Sequence, residues 1–244
     1  AQNHPEAPAM LVGCGVLRFD AQEEHYSGAV LIDSKSEVAS WYGKRHLVMF
    51  GEYVPFAGWM PWLYKVLPIS GGVTPGPEPV AMEVDDFLLA PNICFETVVE
   101  HVTIHQVREL AARGDAPDMV INITNDAWFD GSSLLDHHRR CSQMVAIGCR
   151  RPVLMASNVG PTVWVDGAGR IVQSLPKQTH GSILARPVSD GRWGLYQAIG
   201  DWPARGLAFA CLVLAVIGIR ESRQRRRHQG SALTEPESSA AADS

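Results

Sequence analysis

Between residues 87 and 157 short apolar runs alternate with longer stretches of helical period, and this alternation restricts the fold most. Residues 87–94, opening Phe-Leu-Leu-Ala, read as a strand. Residues 97–112 read as a helix closed by Arg113 and Gly114, and 119–124 (Met-Val-Ile-Asn-Ile-Thr) as a second strand. A second helix follows over 134–149 and a third strand over 152–157. Such an alternation builds an α/β domain. Further strands are expected over 10–19, 26–32 and 38–42 before this block. Others are expected over 161–165, 171–175 and 182–185 after it, with a turn at 166–169. Hairpins beside crossovers make the expected sheet mixed. Residues 53–80 hold Pro55, Pro61, Pro68, Pro75, Pro77 and Pro79 and read as an irregular excursion.

At 244 residues the chain has room for one domain with attachments. The expected boundaries are a domain over 1–192, a linker and apolar helix over 193–220, and a basic then disordered tail over 221–244. A net charge of −5 gives no reason to expect a nucleic-acid partner. Cys14, Cys94, Cys141, Cys149 and Cys211 are odd in number and match no zinc or redox spacing, so no disulfide framework is expected. Residues 207–219 are continuously apolar and, with Trp202, Pro203 and Ala204, reach about 17 residues, the short limit for a membrane span. The flanks favour a transmembrane helix over a core helix. Trp202 suits an interface, Arg205 can snorkel, and Arg220, Arg223, Arg225, Arg226 and Arg227 follow. The positive-inside rule then puts the tail in the cytoplasm and the globular part on the outer face. From Pro236 onward the chain reads as disordered.

Cys94 ends a strand-like run where a helix is expected to begin, and the field of a helix N-terminus favours thiolate. A lysine brought beside it favours thiolate further, or holds an oxyanion. Against this stands the common fate of a cysteine, an inert core residue. Lys44, Glu52 and Glu96 have equally plain readings as surface or first-turn charges. Asn125 and Asp126 lie after a strand, where ordinary turn chemistry and substrate contact are both open. His101 and His105 stand four apart on a helix with no third ligand in view. They read as solvated, as do the adjacent His137 and His138.

Four segments, 42–52 (Tyr-Gly-Lys-Arg-His-Leu-Val-Met-Phe-Gly-Glu), 91–96 (Pro-Asn-Ile-Cys-Phe-Glu), 123–129 (Ile-Thr-Asn-Asp-Ala-Trp-Phe) and 151–160, together resemble the carbon–nitrogen hydrolase (nitrilase) superfamily, and within it the apolipoprotein N-acyltransferases. The resemblance runs from about Leu11 to near Ile219. It implies a nitrilase-like αββα sandwich, here N-terminally incomplete, with a transmembrane helix after it. It implies Cys94 as nucleophile, Lys44 as stabiliser of thiolate and oxyanion, Glu52 in support and Glu96 as an orienting residue. Asn125, Asp126, Trp128 and Phe129 are implied at the substrate. The implied partners are a phospholipid acyl donor, the N-terminal amine of a diacylglyceryl-cysteine lipoprotein and the bacterial inner membrane. No metal or organic cofactor is implied. The Trp-rich segment 56–64 is then expected at the lipid surface.

Three departures accompany the resemblance. The family's general base is a glutamate well upstream of the lysine, and only 43 residues precede Lys44. Glu6 lies too close to the first strand to be that glutamate, so the chain is expected to be a C-terminal part, with an N-terminal half as a missing partner. Met49 stands where the family has proline. Val145-Ala-Ile-Gly148 replaces Arg-Ala-x-Glu, which removes an ion pair. An amidohydrolase acting on a small amide and a non-catalytic, membrane-tethered remnant remain the alternative readings.

Overall fold

In the computed structural model the described residues are 7–19, 23–60, 62–66 and 72–232, with the side chains of 225–232 excepted. The chain divides into two units, Ala1–Ala198 and Ile199–Ser244. Glu6 and the stretch from Pro236 onward lie outside the described residues, and the expectations for them with it.

The first unit contains two sheets. Strands β1 (Met10–Phe19), β2 (Glu23–Ile32) and β3 (Val38–Gly43) form an antiparallel sheet in that order. A short helix α1 (Leu63–Val66) lies in the Pro-rich excursion. The second sheet has six strands in chain order: β4 (Met82–Val84), β5 (Phe87–Ile93), β6 (Met119–Thr124), β7 (Val153–Ser157), β8 (Thr162–Val165) and β9 (Ile171–Leu175). β5, β6 and β7 are parallel, and the outer pairings are antiparallel. Parallel neighbours need crossovers. Here these are α2 (Glu100–Ala112) and α3 (Ser133–Cys149). The mixed α/β sandwich expected from the sequence is present.

Two apolar layers hold it together. Ile104, Val107 and Leu110 of α2 and Val145, Ala146 and Cys149 of α3 pack on Val120, Val153, Met155, Val163 and Val165 of the six-stranded sheet. On the other side of that sheet, Leu89, Ile93 and Met119 meet Ala29, Leu31 and Tyr42 of the three-stranded sheet. Burial of this kind stabilises by about 25 cal/mol per Å² of apolar surface. β5, β6 and β7 run the same way, so their C-terminal ends share one edge. The turn at Cys94, the loop at 125–130 and residues 157–160 gather there.

Two expectations are corrected. Residues 182–185 form no strand: Leu184 is largely exposed, and alternation alone gives no strand without a partner edge to pair with. The stretch after Cys94 opens as a 3-10 turn, Cys94–Thr97, and the α-helix itself begins at Glu100. The buried Arg151 guanidinium donates to the carbonyls of Pro117, Arg150, Asp190 and Arg192.

The second unit is mainly helix α5 (Trp202–Ala232), after a short α4 (Leu195–Ile199) that straddles the boundary. Residues Trp202–Gln224 are long and apolar enough to cross a membrane. Arg205 lies over the Trp202 ring, 5.9 Å from its centroid, so its charge meets an aromatic face at one end of the span.

Candidate active site

β5 delivers its chain to the shared edge and turns sharply at Cys94, which has φ 51°, in the left-handed region. A non-glycine residue there costs on the order of 1 kcal/mol and persists only when neighbours enforce it. Three groups do so through the Cys94 carbonyl: Thr97 Oγ1 donates at 3.1 Å, Asn122 Nδ2 at 3.0 Å, and His138 Nε2 lies at 3.1 Å. Thr97 is on the turn, Asn122 on β6 and His138 on α3, so three elements converge on one oxygen.

Glu96 fixes the other side of the turn. It is fully buried, and its carboxylate accepts from Tyr42 Oη (2.9 and 3.1 Å), Arg45 N (2.8 Å), His46 N (3.0 Å) and Ile93 N (2.8 Å). The last bond reaches back to the residue that opens the turn, as a capping-box acid does. Burial pushes the Glu96 carboxyl above its ordinary range. The amides of His46, Ile93 and Arg45 and the Tyr42 hydroxyl oppose that without reversing it.

Lys44 follows β3 and is buried, with 1% of its surface exposed. Its Nζ donates to both Glu52 oxygens, at 2.8 and 2.7 Å, and Glu52 also accepts from Val48 N at 2.8 Å. A buried ammonium needs such a counter-charge. The strand end is clamped by the loop at 72–76: Gly76 N donates to Lys44 O at 2.8 Å. A Cβ on Gly76 would stand 2.0 Å from the Gly43 carbonyl oxygen, so this close backbone pass requires glycine. Lys44, Glu52 and Cys94 come together: the Lys44 charge acts on the Cys94 thiol. Burial raises the thiol above its ordinary value. Thr124 and Lys44 pull it down, and the carboxylates of Asp126 and Glu52 push it up. The balance is upward, so the resting group is a thiol.

Of the four residues expected at the substrate, Asn125 and Trp128 are exposed, Trp128 to 85%, and Phe129 is half-buried. Asp126 is fully buried and turned inward. Its carboxylate accepts from Thr124 Oγ1 (2.8 Å) and Ser157 Oγ (2.9 Å), and faces His138 Nδ1 at 3.1 Å. A Cβ on Gly160 would lie 2.3 Å from Asp126 Oδ2, which explains the glycine in the 151–160 segment. Burial alone would raise the Asp126 carboxyl. The hydrogen bond and charge of His138, with Thr124 and Ser157, hold it below its ordinary range.

His138 overturns its reading as a solvated helix residue: it is buried between Asp126 and the nucleophile turn. The sequence carried a signal for it. Leu135, His138, Cys141, Ser142, Val145 and Cys149 follow the helical period and share the buried face of α3. His101, His105 and His137 are exposed. Among the described residues no group of three or more His, Cys, Asp or Glu side chains is arranged to hold a metal.

A thiol on a left-handed turn at a strand's C-terminal end, with the charge of a buried lysine acting on it, is an arrangement that can serve attack on a carbonyl through a covalent intermediate. The carbon–nitrogen hydrolase family profile matches residues 3–193. An apolipoprotein N-acyltransferase of Rhodopirellula baltica is 41% identical over 207 residues, 84% of this chain and 36% of that protein. One from Azotobacter vinelandii is 33% identical over 225 residues, 90% of this chain and 41% of that protein. The chain thus spans about two-fifths of the length of these relatives. Among solved structures, a glutamine-dependent NAD+ synthetase from Acinetobacter baumannii aligns with TM-score 0.52 at 15% identity, covering 72% of this chain and 31% of that one. An amidase of the nitrilase superfamily from Nesterenkonia AN1 aligns with TM-score 0.50 at 16% identity, covering 70% and 58%. At these identities the two structures share the fold alone.

Proposed function

The chain belongs to the carbon–nitrogen hydrolase family, and from that premise we propose that it is the catalytic-domain part of an apolipoprotein N-acyltransferase of the bacterial inner membrane, with Cys94 as acyl carrier. The observation that carries this reading is the buried Lys44 acting on the Cys94 thiol, in a chain 41% identical to an acyltransferase over 207 residues.

In the first half-reaction the Cys94 thiol loses its proton to a base as sulfur attacks the acyl ester carbonyl of a phospholipid. Lys44 stabilises the developing oxyanion. Collapse breaks the ester C–O bond. The lysophospholipid alkoxide leaves and takes the proton from the base, and a thioester remains on Cys94. In the second half the N-terminal amine of a diacylglyceryl-cysteine lipoprotein attacks that thioester and gives a proton to the base. Cys94 leaves as thiolate and is reprotonated. The covalent intermediate divides one acyl transfer into two easier steps. Glu52 holds Lys44, Glu96 holds the turn, and Asn125, Trp128 and Phe129 offer the substrate-facing surface.

None of the three carboxylates at the site is assigned as the base. Glu52 is engaged by Lys44 and the Val48 amide, Glu96 by four donors and Asp126 by three. None of these carboxylates is left to receive the thiol proton.

Both substrates are membrane lipids or lipid-anchored. The exposed Phe56, Trp59, Met60 and Trp62 support contact of that loop with the lipid surface. The apolar span Trp202–Gln224 supports a membrane anchor, with the Arg-rich end of α5 in the cytoplasm and the first unit on the outer face. The test is intact-mass spectrometry of the full chain in lipid nanodiscs after incubation with phospholipid, beside Cys94→Ala. An acyl-sized, hydroxylamine-labile adduct is expected only with Cys94. An adduct that survives Cys94→Ala would remove the nucleophile from this reading.

A further inference from the structure

We propose that residues 193–199 form a lipid-facing collar, in which Trp193, Leu195 and Ile199 rest in the bilayer interface and hold α4 at the membrane surface. The inference rests on the reading of Trp202–Gln224 as a membrane span, and it is separate from the lipid contact of the loop at 56–62.

Helix α4 is inside out. Only one of its five residues is buried, and that one is polar: Gln197 is 1% exposed. Leu195 and Ile199 stand four apart and so share a face, and they are 75% and 38% exposed. Trp193, just before the helix, is 51% exposed. Gln197 Oε1 accepts from Gly194 N at 2.8 Å, while its Nε2 finds no acceptor among the described residues. A helix facing water favours the opposite arrangement, with leucine inward and the amide outward. A helix lying in a lipid interface favours an apolar outer side. The orientation is set by packing on the domain. A Cβ on Gly194 would stand 3.5 Å from Arg150 Cγ, and one on Gly148 of α3 would stand 4.0 Å from Tyr196 Cδ1.

Chain connectivity identifies what this face meets. Gly200 and Asp201 alone separate Ile199 from Trp202, where the apolar span opens. Three residues reach at most about 10 Å. The headgroup layer on each side of the hydrocarbon is itself roughly 5–8 Å deep. Ile199 is therefore tethered within reach of the interface, and a tryptophan such as Trp193 favours that layer. Charge agrees with this. A cleft of about 790 Å³ beside α4 is lined by Trp193 and Gln197 and, from α2, by His105, Arg108 and Glu109. Glu109 is paired with Arg45 and Arg113, so Arg108 gives the cleft a positive charge suited to headgroup phosphates.

Nitroxide labels on the full chain in lipid nanodiscs test the collar. Cys14→Ser, Cys94→Ser and Cys211→Ser remove the thiols that are not buried. Single labels are then attached through Leu195→Cys, Ile199→Cys, Phe209→Cys within the span, and Lys35→Cys on an exposed turn of the first unit. Collisions with molecular oxygen, which concentrates in lipid, are compared with collisions with a water-soluble nickel chelate. The labels at 195 and 199 should shift toward oxygen, as at 209, while the label at 35 favours the chelate. Chelate-dominated collisions at 195 and 199, with oxygen dominant at 209, would overturn the collar and leave the anchor standing. Weak collisions with both reagents at 195 and 199 would mean that protein, such as a second copy of this chain, covers the face, and would overturn it equally. Chelate-dominated collisions at 209 would instead remove the membrane span, and the collar with it.

Discussion

Glu96 and Asp126 stand near Cys94, neither is exposed to solvent, and the protein solvates them in different ways. Glu96 sits against the three-stranded sheet and is met by three backbone amides and a tyrosine, all neutral donors. Asp126 sits against α3 and is met by a histidine ring besides two hydroxyls. Burial leaves Glu96 raised despite its four donors, and the hydrogen bonds of His138, Thr124 and Ser157, with the His138 charge, bring Asp126 down. Counting hydrogen bonds would have ranked Glu96 as the better stabilised anion. The depth of burial, greater around Glu96, and the histidine beside Asp126 decide the sign instead.

The difference is open to direct attack, and the largest effect is expected at Glu96. Glu96→Gln keeps the volume but turns an N–H₂ group toward donors that need an acceptor. A loss of about 3 kcal/mol is expected in chemical denaturation. A loss below that of Asp126→Asn would reverse the ranking of the two sites.

Asp126→Asn comes next, at about 2 kcal/mol near neutral pH. Its sign with pH is the sharper readout. The folded Asp126 value is below the ordinary 3.8, so its contribution is present above that value and lost as pH falls through the depressed one. Glu96 has a raised folded value. Its contribution is fullest below the ordinary 4.5 and is lost as pH rises through the folded value. Unfolding measured from pH 6 downward should therefore show an acid-side loss that Asp126→Asn reduces, the remainder coming from Asp136 and Asp190, which Lys177 and Arg192 also hold low. An undiminished loss in that variant would assign all of it elsewhere.

The smallest of these effects is Tyr42→Phe. It deletes one donor from an acid that keeps three, and about 1–2 kcal/mol is expected in thermal or chemical unfolding. A much larger loss would mean that the hydroxyl and the amides act as a unit.

The parts legible in the sequence were those whose signal is local. The alternation over 87–157 gave the parallel centre of the larger sheet, because strand and helix periods differ within a few residues. Cys94, Lys44, Glu52 and Glu96 were named through their motifs, and the structure brings them to one place. What stayed hidden depends on partners distant in sequence. β4 has three residues and exists by pairing with β5. Residues 182–185 carry a short apolar run like a strand's but pair with no sheet edge. Asp126 looks like a loop acid until Thr124, Ser157 and His138 surround it. His138 was readable from its helical phase, and the adjacent exposed His137 masked it.

The left-handed turn at Cys94 sets the chemical interest of this chain against its thermodynamic one. Glycine tolerates φ 51° without the Cβ penalty, so Cys94→Gly is expected to match or exceed wild-type stability by up to about 1 kcal/mol, read as a small rise in melting temperature. A clear fall would show that packing of the thiol outweighs the backbone term. On that expectation a library of variants ranked only by heat resistance would enrich for chains without their nucleophile. Mutational drift unchecked by function would tend the same way, and the cysteine would be among the first residues such drift discards.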